Sequence, residues 1–221
     1  MNNKLITKPY FKIGDVKENI YDISFLNETE KKEFSTLKYE KRKIEWLSSR
    51  KTAKELISQT LNIELKDIEI YNDSNRRPYA KIQNYSKYNL KGKDYFNISI
   101  SHRDKFCACA FNHDFSPYIG IDIERYDDIE TNLLSDYLTL EEIRYANNNR
   151  KKIISIWSKK EAFFKMLGLG LSIDTRDIEI IGKNIKTKGN ILNKIEGLNL
   201  TKIQEENIEM GNYIISILWI V

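Results

Sequence analysis

The segment from residue 119 to residue 124 alternates isoleucine with a glycine and two acids, in the order Ile119-Gly120-Ile121-Asp122-Ile123-Glu124. Successive side chains of a β-strand point to opposite faces, so one face is apolar and the other carries Gly120, Asp122 and Glu124. Two carboxylates on one face repel each other unless a cation or basic side chains neutralise them, and a glycine beside them leaves room for a ligand. The pattern predicts a strand with a core face and a face that binds a hard cation.

A second segment reads Trp157-Ser158-Lys159-Lys160-Glu161-Ala162-Phe163-Phe164-Lys165. Glu161 and Lys165 are four residues apart and share one face of a predicted helix, which Gly168 would end. Taken singly, an acidic strand edge and a Glu–Lys helix pair are ordinary structural features. Taken together, the two segments predict a site in which Glu161 supplies a third carboxylate and the Lys165 ammonium attracts phosphate.

The composition indicates a globular protein. The chain has 221 residues, of which 41% are hydrophobic and 31% charged, and a formal net charge of +4. This charge favours an anionic partner without forming a nucleic-acid signature.

The sequence contains no apolar run of about 18 residues and no signal-like N-terminus, so we expect a cytoplasmic protein without membrane association. Cys107 and Cys109 lie in a short apolar run and are expected to be buried, reduced thiols.

The order of predicted elements indicates an α+β protein with two comparable halves. We assign residues 1–112 to an N-terminal subdomain and residues 113–221 to a C-terminal subdomain that carries both segments described above. No strong sequence repeat relates the halves. The predicted elements are a helix capped at Asn27, a helical region over 36–62, strands at 67–71 and 79–82, a strand at 95–102 with a hairpin partner at 106–111, helices at 139–147 and around Trp157, and strands of a second sheet at 177–181 and 213–219.

Two arginines are candidates for phosphate binding, and a serine–histidine pair at a predicted strand end is a further candidate for function. Ser101 and His102 end a predicted strand, where functional side chains often lie. Arg77 lies in a hairpin turn, and Arg50 belongs to a basic helix from which it could converge with Arg77 on one phosphate group. A packed histidine and a solvated basic turn explain His102 and Arg77 equally well when each is considered alone.

In this order, these elements resemble the 4'-phosphopantetheinyl transferases of the Sfp type, over most of the chain from about Lys38 to Lys165. The two segments are similar to the family patterns G-[IV]-D-[IV]-E and W-[ST]-x-K-E-[AS]-x-x-K. Ser101-His102 and Arg77-Pro78 give weaker support. Two residues depart from the family pattern: Arg76 stands where glycine is usual, and Arg103 follows His102 where a small residue is common.

The resemblance implies two similar subdomains related by a pseudo-twofold, with coenzyme A bound between them. It implies transfer of 4'-phosphopantetheine from coenzyme A to a serine of an apo acyl or peptidyl carrier protein, which releases adenosine 3',5'-bisphosphate. The implied metal is Mg²⁺, with Mn²⁺ as an alternative, and its ligands would be Asp122, Glu124 and Glu161. Glu161 and Lys165 would be catalytic, and the residues implied in coenzyme A binding are Arg50, Arg77, Ser101, His102 and Lys165.

Two other functions stay open at this stage. One is a relative without catalytic activity that binds coenzyme A or a carrier protein, and the other is a Mg²⁺-dependent phosphohydrolase. We expect a monomer with an acidic carrier partner and no nucleic-acid partner. The sequence does not specify whether the carrier serves fatty acid, polyketide or nonribosomal peptide synthesis, nor does it assign roles to Lys38, Lys41 and Arg42.

Overall fold

The computed structural model describes residues 8–16, 22–88, 94–112, 114–127, 136–170, 173–189 and 191–221. The chain divides into an N-terminal unit, Met1–Ile119, and a C-terminal unit, Gly120–Val221. This division falls later than the predicted boundary at residue 112. The side-chain amide of Asn112 donates to the backbone oxygens of Ser116 (3.1 Å) and Tyr118 (2.9 Å), and these bonds hold the intervening segment within the N-terminal unit.

The N-terminal unit places a long helix against two small antiparallel sheets. One sheet has the strand order β1-β6-β5 and the other has the order β2-β3-β4. The helix α2 contacts strands of both sheets. The elements are β1 (Tyr10–Asp15), α1 (Glu28–Thr36), α2 (Glu40–Leu61), β2 (Ile68–Asn72), β3 (Pro78–Ile82), β4 (Tyr95–Asn97), β5 (Ser99–Arg103) and β6 (Phe106–Phe111).

The capped helix start and the hairpins are confirmed. Asn27 accepts from the backbone N–H of Glu30, and the Glu30 carboxylate accepts from the backbone N–H of Asn27, which forms a capping box. The single helical region predicted over 36–62 is wrong in one respect, because the backbone is extended at Leu37 and Tyr39 and separates α1 from α2.

The predicted strand over 95–102 is also divided, because the chain changes sheets at Ile98. Residues before Ile98 pair with β3, whereas those after it pair with β6. Ile98 itself is 1% exposed and packs in the core that the sheets share with α2. Cys107 and Cys109 are buried free thiols on β6, as predicted.

The C-terminal unit repeats the plan of helices on small sheets. Its elements are β7 (Ile119–Arg125), α3 (Leu140–Ala146), α4 (Arg150–Leu167), β8 (Ile178–Ile181), β9 (Asn184–Thr187), α5 (Ile191–Lys194), β10 (Ile203–Met210) and β11 (Tyr213–Ile220). One sheet has the order β10-β11-β7, and β8 pairs with β9. Strands at 177–181 and 213–219 are therefore confirmed, but their assignment to one sheet is wrong. The α+β class is confirmed.

Helix α4 ends where the sequence predicted. Gly168 takes the left-handed conformation (φ 68°) and its N–H donates to the backbone oxygens of Lys165 and Phe164. Glycine adopts this conformation without steric cost. Within the described residues, no helix is both long and apolar enough to span a membrane.

Candidate functional site

Strand β7 lies so close to helix α4 that only glycine fits at position 120. A Cβ atom on Gly120 would lie 1.8 Å from the backbone oxygen of Ala162 and 2.8 Å from the backbone nitrogen of Met166. The expectation that Gly120 leaves room for a ligand is therefore wrong, because the space is taken by the helix backbone. The close approach instead brings the acidic face of β7 against the face of α4 that carries Glu161 and Lys165.

Asp122 and Lys165 form an ion pair between the strand and the helix. The Lys165 Nζ atom lies 2.7 Å from Asp122 Oδ1, and the side chains are 28% and 5% exposed, respectively. An ion pair with one partner in solvent keeps the ammonium available to a ligand. The arrangement also shows that this strand face attracts a cation.

Glu124 is held by a residue of the same helix. The indole Nε1 of Trp157 donates to Glu124 Oε1 at 3.2 Å, and both residues are buried. The ring of Trp157 packs at a tilt against the ring of Tyr137, with the ring centroids 5.2 Å apart. The hydrogen bond from Trp157 fixes the orientation of the Glu124 carboxylate, which would otherwise rotate freely.

Glu161 is a carboxyl group whose pKa is strongly altered by its surroundings. Burial raises the pKa of Glu161 to about 7; the Lys165 ammonium opposes this rise and the Asp122 carboxylate adds to it. A carboxyl group with a pKa near neutrality can accept and release a proton under physiological conditions. Its chemistry suits a general base.

The donor chemistry of Asp122, Glu124 and Glu161 fits a hard divalent cation, because Mg²⁺ and Mn²⁺ prefer carboxylate oxygen ligands. The raised pKa of Glu161 beside the Asp122 carboxylate is the structural observation that supports this fit. Among the residues that the structure describes, no three acidic, histidine or cysteine side chains are gathered closely enough to form a ready coordination shell. Cation binding would therefore draw these carboxylates together.

The N-terminal unit contains a basic pocket of about 420 Å³. Helix α2, the β2–β3 hairpin and strand β5 line it. Arg50 and His102 both contribute to this pocket, so the structure brings two of the predicted phosphate-binding residues together. The other lining residues are Arg42, Glu45, Trp46, Ser49, Asn72, Arg76, Pro78 and Ile100.

Arg50 is fixed in position before any ligand binds. Its side chain is 5% exposed and its Nη2 atom lies 3.5 Å from Glu33 Oε1. The guanidinium also stacks over the ring of Trp46, 4.5 Å from the ring centroid. Burial lowers the pKa of Arg50, yet the group keeps its charge because its ordinary pKa is so high.

His102 and Arg42 share an acidic neighbour in the pocket. Glu45 lies 3.3 Å from His102 Nε2 and 3.9 Å from Arg42 Nη1. Both basic side chains are partly exposed, at 37% and 56%. The pocket therefore has a buried guanidinium and a solvent-facing rim of basic groups.

Arg77 does not line the pocket. Its Nη2 donates to the backbone oxygen of Pro117, and its Nε lies 2.8 Å from the side-chain oxygen of Asn97 once that amide is oriented to accept. Its neighbour Arg76 lines the pocket instead, with a left-handed backbone conformation (φ 64°). The family's usual glycine at this turn matches this conformation, because glycine adopts positive φ without steric cost.

Ser101 lies on the strand face opposite His102. Alternation along β5 puts Ile100 and His102 on the face that lines the pocket, whereas Ser101 is 7% exposed on the other face. The two halves of the predicted Ser-His pair are thus directed to different surroundings.

Three functional residues were missed by sequence reasoning. Trp157 holds Glu124, Arg76 lines the basic pocket, and Lys160 is a buried ammonium next to Glu161. The first and third lie inside the second segment, where the helical period puts Trp157 on the same side of the helix as Lys160 (i,i+3) and Glu161 (i,i+4). The residues three and four positions from Lys160 are all apolar, namely Ile156, Trp157, Phe163 and Phe164, and this pattern was an available signal of a buried charge.

The chain combines an acidic strand face beside Glu161 and Lys165 in its C-terminal unit with a basic pocket in its N-terminal unit. Two family models match the chain: "4'-phosphopantetheinyl transferase, N-terminal" over residues 16–114 and "4'-phosphopantetheinyl transferase superfamily" over residues 118–218. Together they cover most of its length, so the chain belongs to the 4'-phosphopantetheinyl transferase family. The resemblance drawn from the two sequence segments is confirmed at this level, and the Sfp-type subdivision stays a prediction.

A curated protein and two solved structures are similar to parts of the chain. The L-aminoadipate-semialdehyde dehydrogenase-phosphopantetheinyl transferase of Candida glabrata is 28% identical over 106 residues, which cover 43% of this chain and 41% of that protein. The chain thus matches less than half the length of that relative.

Among solved structures, the coenzyme A complex of Helicobacter pylori holo-[acyl-carrier-protein] synthase is 21% identical with a TM-score of 0.40, over 47% of this chain and 99% of that one. The Mycobacterium tuberculosis acyl carrier protein synthase is also 21% identical, with a TM-score of 0.37 over 45% of this chain and 92% of that one.

Proposed function

We propose that this protein transfers 4'-phosphopantetheine from coenzyme A to a serine of an apo carrier protein. The observation that carries the proposal is the pairing of the acidic face of β7 with Glu161 and Lys165 of α4, in a chain of the 4'-phosphopantetheinyl transferase family. In the reaction, the serine Oγ forms a bond to the β-phosphorus of coenzyme A. The phosphorus–oxygen bond to the adenosine bisphosphate breaks, and adenosine 3',5'-bisphosphate leaves.

Asp122, Glu124 and Glu161 would hold Mg²⁺, or Mn²⁺ in its place. A bound divalent cation neutralises charge on the pyrophosphate in the transition state. Trp157 keeps Glu124 oriented through its indole N–H, and Lys165 keeps Asp122 in position through the ion pair. Both contacts are made by side chains of the C-terminal unit itself, and they would orient two of the three proposed ligands.

Glu161 would act as the general base. Its ionised carboxylate would take the proton from the serine hydroxyl as the new bond to phosphorus forms. Lys165, one helical turn later, would exchange its contact with Asp122 for the pyrophosphate oxygens and stabilise the departing oxygen. Helix α4 would thereby supply both the general base, Glu161, and the ammonium group that stabilises the departing oxygen, Lys165.

The basic pocket of the N-terminal unit would bind phosphate groups of coenzyme A. Arg50 supplies a buried, stacked guanidinium, and His102 and Arg76 supply the more exposed basic groups. Arg77 would support this pocket through the hairpin backbone, since its side chain is engaged by Pro117 and Asn97. Ser101 would act from the opposite face of β5, and we assign it a weaker contribution.

We further propose a cytoplasmic monomer whose partner is an acidic acyl or peptidyl carrier protein of fatty acid, polyketide or nonribosomal peptide synthesis. The net charge of +4 supports attraction to an acidic partner. The choice among these pathways requires a direct comparison of carriers.

The decisive experiment is an intact-mass assay of several apo carrier proteins incubated with this protein, coenzyme A and Mg²⁺. We expect the mass of one phosphopantetheine to be added, and we expect EDTA or the Asp122→Ala substitution to abolish the addition. Binding of coenzyme A without any addition would indicate a non-catalytic binder. Hydrolysis of coenzyme A in the absence of a carrier would indicate a phosphohydrolase.

A further inference from the structure

The C-terminal unit contains a completely buried ammonium group beside the candidate active site. Lys160 Nζ lies 2.7 Å from Glu142 Oε2, and both side chains have 0% exposure. The ammonium also donates to the backbone oxygens of Tyr137 (3.1 Å) and Thr175 (3.0 Å). All three N–H groups of the lysine therefore have acceptors. Burying two charges is costly, so such a pair often serves a purpose other than stability.

Lys160 connects to both sides of the carboxylate site. Its neighbour along α4 is Glu161, so whatever fixes Lys160 fixes the helix at that point. Its backbone acceptor Tyr137 packs against Trp157 (5.2 Å between ring centroids), and Trp157 donates to Glu124 (3.2 Å). One buried group thus holds the helix that carries Glu161 and the ring that supports the Glu124 contact.

We propose that Lys160 is a positioning residue, which holds Glu161 and Glu124 in the places from which they would bind the divalent cation. The inference rests on the proposed function for the identity of the cation, and on the structure for the contacts. Lys160 itself touches neither the cation nor the substrate in this assignment. It acts through the helix and through the contact between Tyr137 and Trp157.

The N-terminal unit contains the same pair without a carboxylate site. Lys54 and Glu30 have 0% and 1% exposure and are in direct contact, and Lys54 Nζ donates to the backbone oxygen of Phe25 (2.8 Å). In each pair the glutamate also forms part of the capping box of its own helix. Glu30 accepts from the strand N–H of Ile70 (3.0 Å), and Glu142 accepts from that of Ile180 (2.7 Å). The Lys54 pair is therefore a matched structural control.

The test replaces each pair as a whole, because removal of the lysine alone would leave a buried carboxylate without its partner. The variants are E142Q/K160M and, as the control, E30Q/K54M. Mg²⁺ binding is measured by calorimetry without coenzyme A, and folding is followed by circular dichroism and urea unfolding. We expect E142Q/K160M to weaken Mg²⁺ binding by about 10- to 100-fold, as loss of outer contacts to a metal site does. The control should change it by less than about twofold.

Equal Mg²⁺ affinities in the two folded variants would overturn the proposal. Should E142Q/K160M fail to fold, Trp157→Phe removes the hydrogen bond to Glu124 and keeps an aromatic ring beside Tyr137. We expect at least about fivefold weaker Mg²⁺ binding from it, and an unchanged affinity would overturn the proposal as well. A wild-type protein that binds Mg²⁺ but modifies no carrier would refute the transferase, while the comparison of the two pairs would still decide the role of Lys160.

Discussion

The two units use one local plan with opposite charge patterns. In the N-terminal unit, Lys12 on β1 pairs with Glu55 (2.9 Å) and donates to Gln59 (3.3 Å) on α2. In the C-terminal unit, Asp122 on β7 pairs with Lys165 on α4 (2.7 Å). Glu55 and Gln59 have the same i,i+4 spacing as Glu161 and Lys165, and a buried lysine precedes the glutamate in both helices.

The difference lies in how the charges balance. One lysine faces one carboxylate and one amide in the N-terminal unit, so the strand–helix contact is already neutral. In the C-terminal unit, Lys165 pairs with Asp122 and Glu161 adds a second carboxylate nearby. Glu124 stands two residues after Asp122, where Gly14 stands two residues after Lys12. Of these two strand–helix contacts, the one in the C-terminal unit has more carboxylates than ammonium groups, and an added cation would neutralise that excess. The scaffold is thus common to both units, and the charged side chains on it differ.

The largest difference between the units should appear when the charged strand residue of each is replaced and turnover is measured. Asp122→Asn keeps the size of the side chain but removes a proposed cation ligand, so we expect turnover to fall by about 100-fold or more. Lys12→Gln at the matching position should change turnover by less than about twofold. Intact-mass time courses on the same apo carrier measure both. Similar losses in the two variants would contradict the assignment of chemistry to the C-terminal unit alone.

The glycines on the two strands offer a second comparison. A Cβ on Gly120 would meet the backbone oxygen of Ala162 at 1.8 Å, whereas one on Gly14 would meet the Thr52 side-chain oxygen at 2.2 Å. A threonine hydroxyl can rotate away but a helix backbone cannot. We therefore expect Gly120→Ala to lower the free energy of unfolding by about 3 kcal/mol and Gly14→Ala by about 1 kcal/mol, as overpacking does. Urea unfolding tests this, and the reverse order would show that α4 can move.

Proton linkage should be found at the carboxylate site. Burial raises the pKa of Glu161 from 4.5 to about 7, and a cation binds the ionised form. Below about pH 7, Mg²⁺ affinity should therefore fall by up to about tenfold per pH unit. The folded state holds this proton more tightly than the unfolded state, so the contribution of Glu161 to the free energy of unfolding should decrease as pH rises from about 4.5 to about 7.

Glu161→Gln is the control for this linkage. It should remove the pH dependence of Mg²⁺ binding and the matching change in stability, and it should cost turnover far more than coenzyme A affinity. Calorimetry in buffers of different ionisation enthalpy would count the protons released on Mg²⁺ binding. Proton release that survives in Glu161→Gln would assign the titration to another group.

The hairpin turns give the smallest expected contrast. The β2–β3 turn puts Arg76 at φ 64°, and the β8–β9 turn puts Gly182 at φ 60°. Arg76→Gly should raise the free energy of unfolding by up to about 1 kcal/mol, because glycine accepts this conformation without cost. It should also raise the coenzyme A KM a few-fold through loss of a pocket guanidinium. Gly182→Ala should lower stability by about 1 kcal/mol and leave KM unchanged.

Much of the fold follows from local sequence. The Asn27 cap, the Gly168 helix end and the alternation in β7 specify their elements because each depends on residues close in sequence. Strands β1 and β10 were not predicted, because their exposed edges carry polar residues such as Lys12 and Glu206 and their pairing partners are distant along the chain. The sequence Asp-Ile-Glu-Ile occurs at 67–70 and again at 177–180, where it leads into β2 and β8. A repeat of four residues is too short to predict that the two units share a plan.

The candidate site was predictable in its ligand types but not in its contacts. The spacing of Asp122, Glu124, Glu161 and Lys165 indicated shared faces, whereas the ion pair of Lys165 with Asp122 depends on the approach of α4 that Gly120 permits. Arg77 and Arg76 show the limit most clearly. Neighbouring residues in a turn point in directions that depend on φ, so the sequence could not decide which arginine would reach the pocket.

The buried thiols make the chain suitable for site-specific spectroscopy. Cys107 and Cys109 have 0% exposure, and burial raises the pKa of Cys107 and of Cys109. Thiolates react with maleimide dyes, so both native cysteines should label slowly in the folded protein. A cysteine introduced at Tyr39 (77% exposed) and another at Leu140 (71% exposed) would carry a donor and an acceptor dye, one on each unit. Energy transfer between them would report the distance between the units, with and without coenzyme A, in a chain that keeps its native cysteines.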